Sequence, residues 1–265
     1  MERSLAILDR LAGQRAGLRL VEIAEAVGCD RASALRILTA MEEHGFIFRD
    51  PLSERYRLTF RVTALGFRHL EAAGVTQWAQ PILDDLAAET RELVRLAAAE
   101  RDTLRWIGRA QGAASTIIVD PAQGKAVPLH ATAAGKAWLA LLPEDDAIEL
   151  VLRQGFHPQT TRTIRTLPEL RAELRRTRER GYGTANEEAD DGVLAIAVAI
   201  VSDGRPVGTV SVAAPTARAT LATLERWLPQ LRRAADQLAV TWGPYVAELI
   251  PEPVTRASRP GRERR

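Results

Sequence analysis

Apolar and polar residues recur at helical spacing near the start of the chain. Over residues 31–43, one side of the predicted helix is an apolar, core-facing stripe made of Ala34, Ile37, Leu38 and Met41. The opposite side carries Ala32, Arg36, Thr39 and Glu43. Asp30 stands directly before this helix, where its carboxylate can accept hydrogen bonds from the amides of the first turn. A shorter helical pattern over 21–27 precedes it, so the spacing predicts two short helices joined by a turn.

Two short extended segments follow this helix pair. After Gly45 the chain continues as FIFRDPLSERYRL, two extended pieces around a turn containing Pro51 and Ser53. Together they predict a winged helix-turn-helix, in which short side chains and an arginine on the second helix suit a DNA major groove. We expect double-stranded operator DNA as the partner. The candidate DNA-binding residues, of which the last three would contact phosphates, are Arg31, Ala32, Ser33, Arg36, Thr39, Arg49, Arg55 and Arg57.

The charge of this region leaves an alternative open. Residues 1–58 contain nine Arg and nine Asp or Glu, so the module is not basic as a whole. Winged helices also serve as protein-docking modules. The prediction of DNA binding therefore depends on where the arginines are placed.

The rest of the chain predicts an α+β sheet domain. A connecting helix is expected over 59–73, and the pattern becomes mixed after residue 74. Strands are predicted over 93–99, 103–109, 115–119, 193–201 and 207–213. Helices are predicted over 77–90, 133–142, 144–153 and 168–180, with one long final helix over 221–242 that Pro229 should kink or restart. The leucine spacing of that last helix fits either a coiled coil or packing on a sheet.

The last predicted hairpin separates large from small side chains. With a three-residue loop centred on Gly204, Ala199 would pair with Thr209, Ala197 with Ser211, and Ala195 with Ala213. One face of the sheet is then aliphatic and belongs to the core. The small-residue face either admits a helix at close range or forms the floor of a cavity for a small molecule.

Length and composition indicate a two-domain globular protein. The chain has 265 residues, 46% of them apolar and 26% charged, with a net charge of +2. The longest apolar run, over 193–201, is far shorter than a bilayer span, so we expect no membrane segment and no signal peptide. Cys29 is the single cysteine, which excludes an internal disulfide and a cysteine-rich zinc site and fits a cytoplasmic location.

Motifs along nearly the whole chain resemble those of IclR-family transcriptional regulators. They are RSLAILDRLAG, LVEIAEAVG, RASALRIL, HGFIFRDP, RYRLTF, PLHATAAGKAWLA, ERGYGTANEE and GTVSVAAP. The resemblance implies a winged helix-turn-helix domain (1–58), a linker helix (59–74) and a GAF-like, profilin-like effector-binding and oligomerisation domain (75–250). A basic tail over 251–265 should be disordered. The family resemblance also implies homodimers, often paired into homotetramers, on partly palindromic operators, and we expect no cofactor.

The chain departs from the family pattern in both domains. In the recognition helix, Ala32 and Leu35 replace residues that usually carry hydrogen-bond donors. In the second domain, the resemblance places effector-binding positions at Thr132, Ala133, Ala134, Ala185, Val193, Ala195, Ser211 and Ala213. Alanine occupies three positions that are polar in members that bind small carboxylic acids. The resemblance therefore predicts a bulkier or more apolar effector, such as an aromatic compound.

Two other functional classes remain as alternatives. A regulator without a small ligand, controlled by a protein partner, would share every DNA-binding feature. An enzyme could use His130 and Lys136, but the GKA segment lacks the spacing of a phosphate-binding loop. The acidic residues over 187–191 have no nearby histidine at metal-ligand spacing, and a solvated loop is their ordinary explanation. We therefore predict neither catalytic nor metal-binding residues.

Overall fold

Three helices and a two-stranded sheet form the packed part of the first of two structural units. The computed structural model describes residues 1–114, 119 and 124–249, and the chain divides into Met1–Leu70 and Glu71–Arg265. The first unit contains α1 (Glu2–Ala12), α2 (Leu20–Ala26), α3 (Arg31–Glu43), β1 (Ile47–Arg49) and β2 (Tyr56–Leu58). Its core consists of Ile7, Leu11, Ile23, Leu38, Met41, Ile47 and Tyr56. This is the predicted winged helix-turn-helix.

The predicted bounds of α3 are confirmed, and its start has the expected cap. Oδ1 of Asp30 accepts a hydrogen bond from the backbone N–H of Ser33 at 2.9 Å. Ala34, Leu38 and Met41 are buried, while Ile37 is only partly buried. Helix α2 begins one residue earlier than predicted and ends at Ala26. Local periodicity therefore suffices to locate α2 to within one residue, and periodicity with the cap at Asp30 locates α3.

A solitary helix, α4 (Phe60–Ala72), follows the wing and contains the boundary between the two units. None of its side chains is buried. Phe60 and Phe67 lie seven positions apart, so they share one side of the helix, and both are exposed. The apolar side of α4 therefore has no partner within the described chain.

In the described part of the second unit, five strands form an antiparallel sheet: β3 (Leu93–Glu100), β4 (Thr103–Gln111), β5 (Gly183–Asn186), β6 (Val193–Ser202) and β7 (Arg205–Pro215). Their order across the sheet is β4-β3-β7-β6-β5. Strand β5 was not predicted. The strand predicted over 115–119 lies outside the described residues except for Val119, which belongs to no strand. The sheet and its helices give the predicted GAF-like α+β fold.

Helices cover both faces of this sheet. The aliphatic face is covered by α5 (Gln80–Thr90) and by the C-terminal helices. A single π-helical turn (Val75–Ala79) precedes α5. On the small-residue face pack α6 (Ala133–Leu139), α7 (Glu144–Gln154) and α8 (Leu167–Arg180). None of the described helices combines the length and the hydropathy that crossing a bilayer requires.

The C-terminal helix predicted over 221–242 is not continuous, but Pro229 starts its main segment, which is one of the two outcomes predicted for this proline. The chain forms α9 (Leu221–Glu225), α10 (Leu228–Thr241) and α11 (Gly243–Leu249). Pro229 lies in the first turn of α10, where its missing N–H leaves no hydrogen bond unmade. Helix α10 packs on the sheet and on α5, which favours the sheet-packing explanation of the leucine spacing. The basic tail lies outside the described residues.

The predicted register of the last hairpin is confirmed. Ala199 pairs with Thr209, Ala197 with Ser211, and Ala195 with Ala213. The loop differs from the prediction, because Ser202 pairs with Arg205 around the two residues Asp203 and Gly204. A bulge after Ile200 accounts for the extra residue and preserves the register.

Candidate DNA-binding and effector sites

The outer face of α3, defined by Ala32, Leu35, Arg36 and Thr39, is exposed to solvent. These residues recur at i, i+3, i+4 and i+7, so they form one stripe along the helix. Three of the four were predicted as DNA-binding residues. Leu35 was not among them. A continuous exposed stripe on a short cylinder has the shape that a major groove admits.

The first turn of α3 holds Arg36 in a defined position. Nη2 of Arg36 donates to Oγ of Ser33 at 3.3 Å, and Ser33 in turn donates to Asp30. Hydrogen bonds from Ser33, through its side chain and its backbone N–H, lower the pKa of Asp30. Neither Arg31 nor Arg36 forms an ion pair with any described residue. Both guanidinium groups therefore keep their charge for an external partner.

The three wing arginines, predicted to contact phosphates, each form an ion pair within the first unit. Each pairs with an acidic neighbour: Arg49 with Glu54 at 2.8 Å, Arg55 with Glu22 at 3.3 Å, and Arg57 with Asp50 at 3.7 Å. Arg55 also donates from Nη1 to the carbonyl oxygen of Gly17 at 2.9 Å, which ties the wing to the turn before α2. Contact with a phosphate would require each arginine to exchange its carboxylate partner. The three carboxylates are among the nine acidic residues of the segment 1–58.

The structure brings the predicted effector-binding positions onto one side of the sheet. Ala185, Ala195 and Ala213 form a single row across β5, β6 and β7. Ser211 lies in the next row beside Ala197, and Val193 is at the start of β6 opposite Pro215. Apart from the half-buried Ala195 and Val193, these residues are buried.

Helix α6 covers part of this face at close range. Oγ1 of Thr132 caps the helix by accepting from the N–H of Gly135 at 3.0 Å, and Ala133 and Ala134 are buried in its first turn. A Cβ added at Gly183 would lie 2.2 Å from the carbonyl oxygen of Ala133. The small residues over β5 thus admit a helix, which is one of the two explanations left open by the sequence.

Arg95 and Trp106 also belong to this face, and sequence reasoning missed them. Arg95 pairs directly with Ser211 across β3 and β7, and it is buried. Its guanidinium carbon lies 3.6 Å from the centre of the Trp106 ring, a cation–π contact. The sequence did indicate the position of Arg95, because strand alternation places it on the same side as Ala97 and Ala99. A cation therefore stands beside the predicted effector positions.

A buried ion pair connects α6 to the segment after β5. Nζ of Lys136 lies 2.7 Å from both carboxylate oxygens of Glu188 and 3.8 Å from Glu173. Burial lowers the pKa of Lys136, and the charge of Glu188 opposes this shift. Burial alone would raise the pKa of Glu173, but the charge of Lys136 and a hydrogen bond from Arg176 keep it below its ordinary value. Lys136 is therefore a structural cation.

The expectation of a solvated acidic loop over 187–191 is wrong for its first two residues. Glu188 is the counter-charge that Lys136 requires, and its carbonyl oxygen accepts from Oγ1 of Thr163 at 2.7 Å. Glu187 accepts from the N–H of Gly192 at 3.1 Å. No group of three or more His, Cys, Asp or Glu side chains within the described ranges could hold a metal ion.

His130, the other residue considered for catalysis, is buried beside α6. Its Nε2 lies 3.2 Å from the carbonyl oxygen of His157, and its ring contacts Phe156 edge to face. Burial lowers the pKa of His130, which favours the neutral imidazole. These contacts support a structural role at the junction of the sheet and the helix.

Two family models match this chain. The IclR helix-turn-helix domain matches residues 1–51, and the bacterial transcriptional regulator IclR C-terminal model matches residues 67–240. The probable transcriptional regulator SauR of Cupriavidus necator is 30% identical over 241 residues, which are 91% of this chain and 95% of that protein.

Solved structures of similar proteins share the fold. An IclR transcriptional regulator from Alicyclobacillus acidocaldarius is 27% identical with a TM-score of 0.78, over 90% of this chain and 98% of that one. An IclR homologue from Microbacterium hydrocarbonoxydans, complexed with 4-hydroxybenzoate, is 24% identical with a TM-score of 0.74, over 91% of this chain and 98% of that one. The second likeness concerns the fold alone.

Proposed function

Because this chain belongs to the IclR family of transcriptional regulators, we propose that the outer face of α3 recognises operator DNA. The protein is a DNA-binding regulator with a C-terminal effector-binding domain. The observation that carries the assignment is an exposed helix face whose arginine, Arg36, has no acidic partner among the described residues. Such a guanidinium can donate two hydrogen bonds to guanine.

The other DNA-binding candidates have supporting roles in this proposal. Arg31 and Ser33 hold phosphate or a base edge near the start of α3, and Ala32 and Thr39 are small enough to let the helix approach closely. Arg49, Arg55 and Arg57 contact phosphates once they release their carboxylate partners. Because that exchange has an electrostatic cost, their contribution should be smaller and more dependent on salt than that of Arg36.

Arg36→Ala tests the assignment. The operator is first selected from random duplexes with the wild-type chain, and affinities are then measured at one salt concentration. The variant should lose about 1–3 kcal/mol of binding free energy and discriminate less at one position of each half-site. Arg15→Ala removes an exposed arginine from the turn after α1 and is the matched control. An unchanged sequence preference in Arg36→Ala would contradict the role.

For the second unit, we propose that a small organic effector binds at the small-residue face and changes operator affinity. Three alanines in one row favour an apolar or aromatic body. Ser211 offers a hydroxyl, the first turn of α6 with Thr132 offers backbone amides, and Arg95 adds a positive charge beside Ser211. This combination favours an aromatic compound that carries one anionic group over a small aliphatic acid.

Calorimetric titration distinguishes these ligands. 4-Hydroxybenzoate and pyruvate are titrated into the full chain, and operator affinity is measured with each. Binding of the aromatic acid, weakened in Ser211→Ala, supports the proposal, whereas a preference for pyruvate contradicts it. If native mass spectrometry of the purified protein and a wider screen of organic acids both find no ligand, control by a protein partner becomes the better explanation.

We also propose that the protein acts in the cytoplasm as a homodimer whose two copies of α3 contact the two halves of a palindromic operator. The exposed apolar side of α4 supports a second copy as its partner. Dimers of this kind can pair into tetramers through the effector domains.

A further inference from the structure

Leu35 is an exposed apolar residue in the middle of the face that we assign to DNA. Its side chain is 44% exposed, and it is the one large apolar residue of α3 that is exposed, all of α3 being described. Leu35 lies one turn after Ala32 and one turn before Thr39, so three side chains that carry methyl groups are neighbours along the helix. The core of the first unit does not use Leu35.

The major groove presents one apolar group that such a side chain can contact. The bases present hydrogen-bond donors and acceptors along that edge, and thymine alone adds a methyl group, at C5. A leucine lying against a donor or acceptor would leave it without water or a partner, which is unfavourable. A leucine on this face would therefore favour a methyl group over the polar edges of the bases.

We propose that Leu35 is a specificity-determining residue that contacts the methyl group of a thymine adjacent to the guanine bound by Arg36. Consecutive residues of a helix diverge by about 100° and rise by about 1.5 Å, so Leu35 and Arg36 suit neighbouring base pairs. Ala32 and Thr39 complete an apolar surface around the methyl group. The inference rests on the proposed function of α3 and adds the identity of a second base.

The test removes the methyl group from the DNA and leaves every hydrogen-bonding group in place. Each thymine of one half-site of the selected operator is replaced in turn by deoxyuridine, and affinity is measured by fluorescence anisotropy. Burial of one methyl group corresponds to about a fourfold effect, so wild-type binding should weaken by about that factor at one thymine. Leu35→Ala should bind the thymine operator more weakly and show no further loss with deoxyuridine there.

Two further variants make the result specific. Leu35→Met keeps an apolar chain of similar reach and should retain the sensitivity to deoxyuridine. Leu52→Ala removes an equally apolar residue from the wing turn, 96% exposed, and should also retain it. Since Leu35 lies outside the core, Leu35→Ala should unfold at the same temperature as the wild type.

The outcomes separate the inference from the function on which it rests. If no thymine is sensitive, or if Leu35→Ala retains the wild-type sensitivity, the contact between Leu35 and thymine is overturned while DNA recognition by α3 stands. If the wild-type chain selects no sequence from random duplexes, the proposed function fails and the inference falls with it.

Discussion

At the scale of single residues, the most informative group is Lys136, because a buried ammonium requires a counter-charge. It is 1% exposed, and Glu188 meets it with both carboxylate oxygens at 2.7 Å. The pair joins the helix that carries Ala133 and Ala134 to the segment directly after Ala185. The lysine of the PLHATAAGKAWLA motif and the last glutamate of the ERGYGTANEE motif are therefore explained by one contact.

Lys136→Met should destabilise the second unit by about 3–5 kcal/mol, because removing the lysine leaves the mostly buried Glu188 carboxylate, whose side chain is 14% exposed, without its cation. Arg153→Met is the matched control, since Arg153 pairs with Glu149 and Asp102 at the surface and should matter little. Chemical unfolding is followed by tryptophan fluorescence. All five tryptophans lie after residue 70, so the signal reports the second unit. Equal losses in the two variants would contradict the structural role of Lys136.

At the scale of elements, the features predicted correctly are those determined by neighbours in the chain. The bounds of α3 follow from its apolar stripe and from the cap at Asp30. The register of β6 and β7 follows from alternation and a short loop, even though the loop itself is one residue shorter than expected. In the C-terminal region the same periodicity predicted one continuous helix, because the leucine spacing continues across the break between α9 and α10.

The elements and contacts that were missed depend on tertiary structure. Strand β5 has four residues and no distinct alternation, and it is recognisable as a strand only by its pairing with β6. The pairing of the wing arginines with carboxylates depends on distances that their spacing does not reveal. The location of Arg95 beside Ser211 required the order of the strands in the sheet. A single sequence indicates which residues share a face but not which faces meet.

At the scale of the whole molecule, the proposed recognition of an operator would use more than one copy of α3. A single recognition helix contacts only a few base pairs, and helix-turn-helix proteins gain specificity by placing two such helices one DNA turn apart. The first unit offers a surface for this purpose in α4, none of whose side chains is buried. An exposed apolar helix side is unfavourable in water and is stabilised when a second copy covers it.

Phe67→Glu should therefore weaken the dimer. Phe67 is 66% exposed on the same side of α4 as Phe60, and a carboxylate there would be buried without a partner in the dimer. We expect the dimer dissociation constant to rise at least about tenfold, a change of about 1.4 kcal/mol. Leu52→Glu places the same charge on the wing turn and should leave the dimer intact. Sedimentation velocity without DNA measures the dimer dissociation constant of both variants. An unchanged constant in Phe67→Glu would show that the dimer contact lies elsewhere.

Without a dimer, each half-site is bound independently, so Phe67→Glu should also lose most of its preference for a full operator over a half-site.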